Sequence, residues 1–299
     1  MAAAPSMAMA RARGLLWIGF ALAGIAPARA QAPRPAIPPV DSTAVVVLRL
    51  ADGSELVGRV LMVDDTSLVV VTGAGARAVV PRTAVTSWRR RSGTATATGG
   101  YRIADPNTTR LFFGATGRTL ARGSGYFADY YLFFPFVAYG FHDRVMASGG
   151  VSLVPGASNQ LFYIAPKLGV VRGPTFNLAI GGAYATVPGE EDASVGAAYA
   201  SVTIGPPDAA VTILGGYPFT TEDVSQEPAL MVGGDTRIGG ASKLLAEVWK
   251  LPDVDDVPAL FGVRWFGERI AVDFGFLYLI GTDVEGWPLI PWVDFVINW

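Results

Sequence analysis

Charged side chains recur inside otherwise apolar stretches of the later two-thirds of this chain: Arg110, Arg118, Asp129, Lys167, Asp235, Arg237, Lys243, Glu247, Arg264, Asp273 and Asp294. Their neighbours alternate. Along 269–280, Ile270, Val272, Phe274, Phe276, Tyr278 and Ile280 share one parity, and Arg269, Ala271, Asp273 and Gly275 share the other. Along 242–250, Lys243 and Glu247 stand opposite Leu244, Ala246 and Val248. A period of two is the repeat of a β-strand, so each segment has an apolar face and a face that carries charge. Asp273 cannot face lipid without a large penalty, which makes the charged parity an interior one. Both signs are present. Two chemistries fit such a lining: an ion-pair network that braces or plugs the interior, and a polar path for a small solute.

Catalytic patterns are missing. The single histidine, His142, falls in an expected turn beside Asp143, and Ser148 on the next segment is not aligned with it by alternation. Neither G-x-S-x-G nor H-E-x-x-H occurs, so no enzyme is expected. The absence of cysteine excludes disulfides, thiol catalysis and cysteine-ligated metals. Asp253-x-Asp255-Asp256 and Glu190-Glu191-Asp192 offer oxygen ligands for Ca²⁺, but no full ligand set is visible, and solvated acidic loops account for them; no metal or cofactor is expected. A net charge of −2 argues against nucleic acid as a partner.

What must position these charges follows from composition. Hydrophobic residues make up 51% of the chain and its mean hydropathy is +0.38, yet beyond the first thirty residues no uninterrupted apolar run is long enough for a spanning helix. A chain that is apolar on average, alternating, and punctuated by glycine fits an antiparallel transmembrane β-barrel, in which every second residue meets lipid. The stretch 109–299 divides into twelve expected strands: 109–120, 126–140, 145–154, 160–171, 175–187, 195–204, 209–217, 229–237, 242–250, 258–266, 269–280 and 287–299. Connections after even strands are tight (141–144, 172–174, 205–208, 238–241, 267–268). Those after odd strands, from the fifth onward, are longer and acidic. Short turns and long loops on alternate ends are the periplasmic and extracellular ends of an outer-membrane barrel. Trp249, Trp265, Trp287, Trp292 and Trp299 near strand ends read as interfacial girdles, which argues against a soluble periplasmic sandwich.

The N-terminal part reads separately. Arg11 and Arg13, an apolar run over 14–25 and Ala28-Arg29-Ala30 form a signal peptide over 1–30. A Pro-rich tether covers 31–41, a small β domain 42–91 with five short strands, and a linker 92–108. Gly58 inside the second of these strands suggests a bulge or bend. Arg89-Arg90-Arg91 reads as a solvated basic run. The pattern of strand, Asp52-Gly53, bent strand, Asp64-Asp65, strand, Gly73-Ala74-Gly75, strand resembles an SH3-like or Sm-like barrel, which implies a structural module or a binding unit for a periplasmic protein partner.

Phe295, Ile297 and Trp299, with Val293, occupy every second position to the last residue. This resembles the terminal strand that outer-membrane proteins present to the barrel-assembly machinery. Asp105 to Gly114 resembles the opening of a group of uncharacterised bacterial outer-membrane barrel proteins. The resemblance implies an all-β fold and a place in outer-membrane lipid, with the small domain in the periplasm. Two functions are open on these residues: a narrow channel or small-solute transporter, and a structural or interaction protein that anchors a periplasmic domain without transport.

Overall fold

In the computed structural model the described residues are Pro38, 44–91, 93–95, 101–281 and 288–299. The signal peptide, nearly all of the tether, and Trp287, Asp283 and Glu285 lie outside them.

Five strands form the N-terminal unit: β1 (Val45–Leu50), β2 (Glu55–Val63), β3 (Ser67–Thr72), β4 (Arg77–Pro81) and β5 (Val85–Arg91). They pair antiparallel in the order β4-β3-β2-β1-β5. Val46, Leu48, Val60, Leu68, Val70 and Val80 make its core, a set of β-branched and aliphatic side chains suited to a pleated face. The register shift in β2 falls between Val60 and Met62 rather than at Gly58. Gly58 has another cause: a Cβ there would lie 2.4 Å from the Val71 carbonyl oxygen, so the position demands close backbone approach.

Asp64 ties the β2–β3 turn. Its carboxylate accepts from the Ser67 hydroxyl (2.7 Å) and from the Thr66 and Ser67 amides (2.8 and 2.6 Å), which hold its pKa down at about 2. Because the folded pKa lies below the ordinary 3.8, the turn's contribution is fully present above that value and is lost as pH falls through about 2. Asp64→Ala is therefore expected to open this turn already at neutral pH and to flatten its acid dependence below pH 3.8, read by hydrogen exchange of the turn amides.

A short ladder, β6 (Thr94–Ala95) with β7 (Tyr101–Arg102), follows within the expected linker. The wall of the barrel then runs β8 (Gly125–Tyr130), β9 (Phe134–His142), β10 (Val145–Val151), β11 (Phe162–Arg172), β12 (Phe176–Val187), β13 (Glu190–Ile204), β14 (Ala209–Thr220), β15 (Ala229–Gly239), β16 (Ser242–Lys250), β17 (Val257–Phe266), β18 (Ile270–Ile280) and β19 (Leu289–Asn298). Every neighbour is antiparallel, and β19 pairs with β8 to close the ring. At the seam the amides and carbonyls of Gly125 and Trp299 bond reciprocally, at 3.2 and 3.0 Å.

The count of twelve wall strands matches the expectation, but two of its parts do not. Residues 109–120 are not a wall strand; they lie inside the barrel with Leu111, Phe112, Thr116 and Leu120 buried. The segment expected as one strand, 126–140, is instead the hairpin β8–β9. Its turn places Tyr131 and Leu132 at φ of 56° and 65°, a left-handed conformation that side chains disfavour. Asp129 compensates by accepting from the Phe134 amide (3.1 Å), and the Tyr131 hydroxyl donates to the Pro291 carbonyl (2.8 Å). Leu132→Gly is expected to stabilise the barrel by about 1 kcal/mol, checked as a higher unfolding midpoint in urea.

Tight connections at 143–144, 173–175, 205–208, 240–241 and 267–269 stand at one end of the wall. At the other end, 152–161, 221–228, 251–256 and 281–288 are longer. Between β12 and β13 only 188–189 intervene, because Glu190-Glu191-Asp192 open β13 rather than forming a loop. The chain enters the wall at Gly125 and leaves it at Trp299 on the tight-turn end. Outward parities are apolar around the ring, as in Ile164, Ile213, Val232, Phe261 and Ile297, all more than 40% exposed.

Candidate functional site

The inward faces do not enclose an open bore. Residues 103–124 run through it as a plug, and Lys167, Arg237, Lys243, Glu247, Arg264, Asp273 and Asp294 of the wall all reach that segment's backbone, its carboxylate or its guanidinium.

On one side of the plug, Arg264 of β17 pairs with Asp273 of β18 (2.6 and 2.7 Å) and donates to the carbonyls of Asn107, Arg110 and Leu111. These strands are neighbours in which Arg264 and Asp273 stand directly opposite, so the pair is fixed by register. Asp273 also faces Asp294 of β19, and Arg110 reaches up from the plug to both: it bonds Asp294 and lies 3.6 Å from Asp273. The guanidinium of Arg110 sits 5.2 Å from the ring centre of Tyr130. Asp105 binds Lys243 of β16 at 3.0 Å and Arg264 at 3.6 Å, and Lys243 also pairs with Asp235 of β15 at 2.6 Å. Seven charged groups, Arg110, Lys243, Arg264, Asp105, Asp235, Asp273 and Asp294, thus form one buried chain of alternating sign.

Glu247 of β16 has no cation partner within ion-pair distance among the described residues. Its oxygens accept from the amides of Phe113 (3.1 Å) and Gly114 (3.0 Å) and from the Trp249 indole (3.2 Å). Lys167 of β11 donates to the carbonyls of Thr109 (2.8 Å) and Thr116 (3.2 Å). Gly117 donates to the Thr203 hydroxyl (2.9 Å), and a Cβ at this glycine would lie 2.4 Å from the Asn177 carbonyl oxygen; only glycine lets the plug touch the wall there. Arg237, at the tight-turn rim, binds Asp208 (2.7 Å) and the Ile103 carbonyl (2.9 Å) where the plug enters.

The structure therefore places Arg110, Lys167, Asp235, Arg237, Lys243, Glu247, Arg264, Asp273 and Asp294 on the interior side, Arg110 in the plug and the others on the wall. Asp129 is a correction. In β8 the inward parity belongs to Tyr126, Ala128 and Tyr130, so Asp129 points the other way and caps its own turn. Two of the tryptophans read as girdles also point inward: Trp292 packs edge-on to Phe112, and Trp249 to Phe113. Trp265 and Trp299 are outward, at 50% and 54% exposure. Phe295 and Ile297 lie with Trp299 on the outer face of β19. His142 accepts from the Arg144 amide through Nδ1 (3.2 Å). Among the described residues no group of three carboxylates or histidines is arranged to hold a metal.

Sequence reading missed Asp105 and Asn107, which it placed in the linker. Both are buried. The usable signal was an acid and an amide around Pro106 directly ahead of an apolar run, in a stretch with no period of two. Arg89 and Arg90 of the arginine run are exposed, and Arg89 and Arg91 in addition bind Glu268 of the β17–β18 turn (2.7 and 2.9 Å), with Arg91 over Tyr101.

Fold and site together define a closed antiparallel barrel of twelve strands whose lumen is filled by the segment preceding the wall. No family model matches the chain, and no curated protein matches it in sequence. Solved structures with a similar barrel include the KdgM porin in complex with disordered oligogalacturonate (8% identity, TM-score 0.42, 58% of this chain and 95% of that one). Others are the NanC porin (10%, 0.38, 58% and 97%) and the outer membrane protein Omp33 of Acinetobacter baumannii (8%, 0.38, 58% and 94%). At such identities and scores these likenesses carry no weight for the role of this barrel; its closure is read from its own ladder.

Proposed function

We propose that this chain is an outer-membrane β-barrel sealed at rest by its own plug, which anchors the five-stranded unit at the periplasmic face. The observation that carries the reading is the plug itself. A wall with an apolar exterior suits lipid, since closure satisfies every strand edge. A lumen whose charges are matched to an internal segment suits a sealed body more than an open pore. The tight-turn end is assigned to the periplasm because short turns belong there in such barrels. The Arg89 and Arg91 contacts to Glu268 support the five-stranded unit standing on that same rim. Such contacts are exposed and each contributes about 0–1 kcal/mol, so the unit is tethered more than it is locked. An SH3-like reading of the unit makes a periplasmic protein its natural partner. The outer face of Phe295, Ile297 and Trp299 is the surface the barrel-assembly machinery would engage.

A second reading, a channel that opens when the plug leaves, is favoured by the way the plug is held. Besides the apolar contacts of Leu111 and Phe112 with Leu214, Met231, Leu245 and Leu260, its attachments are hydrogen bonds and ion pairs that water could replace, and the ladder of β8–β19 uses none of its residues.

The first experiment is a gel of the outer-membrane fraction with and without boiling. A faster-migrating unboiled band is expected. A soluble periplasmic protein with no mobility shift would end the membrane reading. Single-channel recording of the full chain is expected to be silent; steady conductance would exclude the sealed state.

A further inference from the structure

We propose that the tight-turn mouth of the barrel binds a small oxyanion, the phosphate or carboxylate group of a small solute, through Arg118 and Arg172. A cavity of about 440 Å³ opens there. Thr108, Arg118 and Thr119 of the plug form one side, Arg172 and Asn177 flanking the β11–β12 turn form another, and Pro207 closes a third. No acid lines it.

The charge pattern around this cavity differs from that of the rest of the lumen. Arg110, Arg237, Lys243 and Arg264 each have a carboxylate within ion-pair distance. Arg118 is only 8% exposed and has none among the described residues. Its Nη2 donates to the carbonyls of Gly205 (3.0 Å) and Pro206 (3.2 Å), both neutral acceptors, which fix the guanidinium in place without neutralising it. Lys167, bound through Thr116 O close behind, likewise meets only carbonyls. Asp105 and Asp235 act on it only from beyond ion-pair distance and are themselves paired with Lys243 and Arg264, so an anion in the cavity would supply a close counter-ion. Arg172 lines the same cavity, and among the described residues its one acidic partner, Asp143, lies at 3.9 Å, the limit of contact. Asn177 is 6% exposed; its Oδ1 accepts from the Gly173 amide (3.2 Å), which leaves its amide hydrogens as donors. Thr119 is already committed, donating to the Asp143 carbonyl (2.8 Å). Two guanidinium groups and an amide around one space make a fork suited to a planar or tetrahedral oxyanion. The volume exceeds what such a group fills, so it would be the acidic head of a larger solute. The proposal rests on the cavity and its charges and stands whether or not the barrel conducts.

Calorimetric titration of the purified full chain with inorganic phosphate, in a zwitterionic detergent, tests this. Saturable and salt-sensitive binding is expected. Arg172→Gln should weaken it about tenfold, the effect of losing one charge-assisted contact, and Arg118→Gln should abolish it. The boiled and unboiled gel bands identify folded protein; should Arg118→Gln fail to fold, Arg172→Gln, at a half-exposed position, decides. Repeating the titration in nanodiscs of phosphatidylglycerol and of phosphatidylcholine separates the sources: equal phosphate binding in both supports a soluble solute, and loss in phosphatidylglycerol alone supports a lipid headgroup at the same site. No saturable binding to the unaltered chain, or undiminished binding in Arg172→Gln, overturns the proposal.

Discussion

Arg264→Ala is expected to destabilise the barrel by about 3–5 kcal/mol, the range found when one member of a buried ion pair is removed. The size follows from what the guanidinium holds. It neutralises Asp273, assists in neutralising Asp105, and satisfies plug carbonyls at Asn107, Arg110 and Leu111. Without it, Asp273 and Asp294 face each other across the β18–β19 ladder with Arg110 alone between them. The comparison variant is Arg264→Met with Asp273→Leu. It removes both charges of the opposed pair, leaves Asp105 on Lys243, and should recover a good part of the loss, since replacing a buried pair by apolar groups is often neutral. Urea unfolding followed by the gel-mobility shift measures both. Equal stability of Arg264→Ala and the unaltered chain would mean that the network is not closed in the folded protein.

The second large effect is qualitative. Replacing 105–120 by a Gly-Ser linker is expected to convert a silent barrel into one with discrete single-channel openings. The ring has no strand in that segment, so its ladder is unchanged. Water would replace the plug at Glu247 and Lys167, whose present partners are backbone groups that water can mimic. Lys243 keeps Asp235 and Arg264 keeps Asp273. A variant that still migrates fast without boiling yet passes no current would remove the channel reading and leave the anchoring one.

Much of the wall was legible because alternation is a local signal. Lys243 and Glu247, or Asp273 against Phe274, declare their faces within a few residues, and register then places Lys243 beside Arg264 and Arg264 beside Asp273. The plug was not legible. Arg110-Leu111-Phe112-Phe113 has the apolar content of a wall strand, yet the large side chains of Leu111 and Phe112 are both buried although adjacent, which a strand with one face to lipid does not allow. A segment enclosed on all sides has no period to show, and composition alone cannot separate it from a lipid-facing strand. The β8–β9 turn was hidden for the opposite reason. Its left-handed positions carry Tyr131 and Leu132, residues that mark strands, and part of what holds the turn, the Pro291 carbonyl, is distant in sequence. The two errors cancelled in the strand count, so a correct total concealed a strand that is a plug and a strand that is a hairpin. Trp249 and Trp292 misled similarly, since an aromatic at a strand end can turn inward to meet Phe112 or Phe113 as readily as outward to an interface.

The seam between β8 and β19 has a consequence for the order of events during biogenesis. Its partners, Gly125 and Trp299, are the first and last residues to enter or leave the wall, so the ring cannot shut until the whole wall has been made. The plug precedes every wall strand in the chain. Until the wall forms around it, its arginines and its carboxylate lack their buried partners. Pairing the most distant segments is the slowest step a sheet can face. A wall that shut before Arg110 reached Asp294 would enclose an unmatched charge, so the same ion pair that braces the folded barrel penalises closure around an unseated plug.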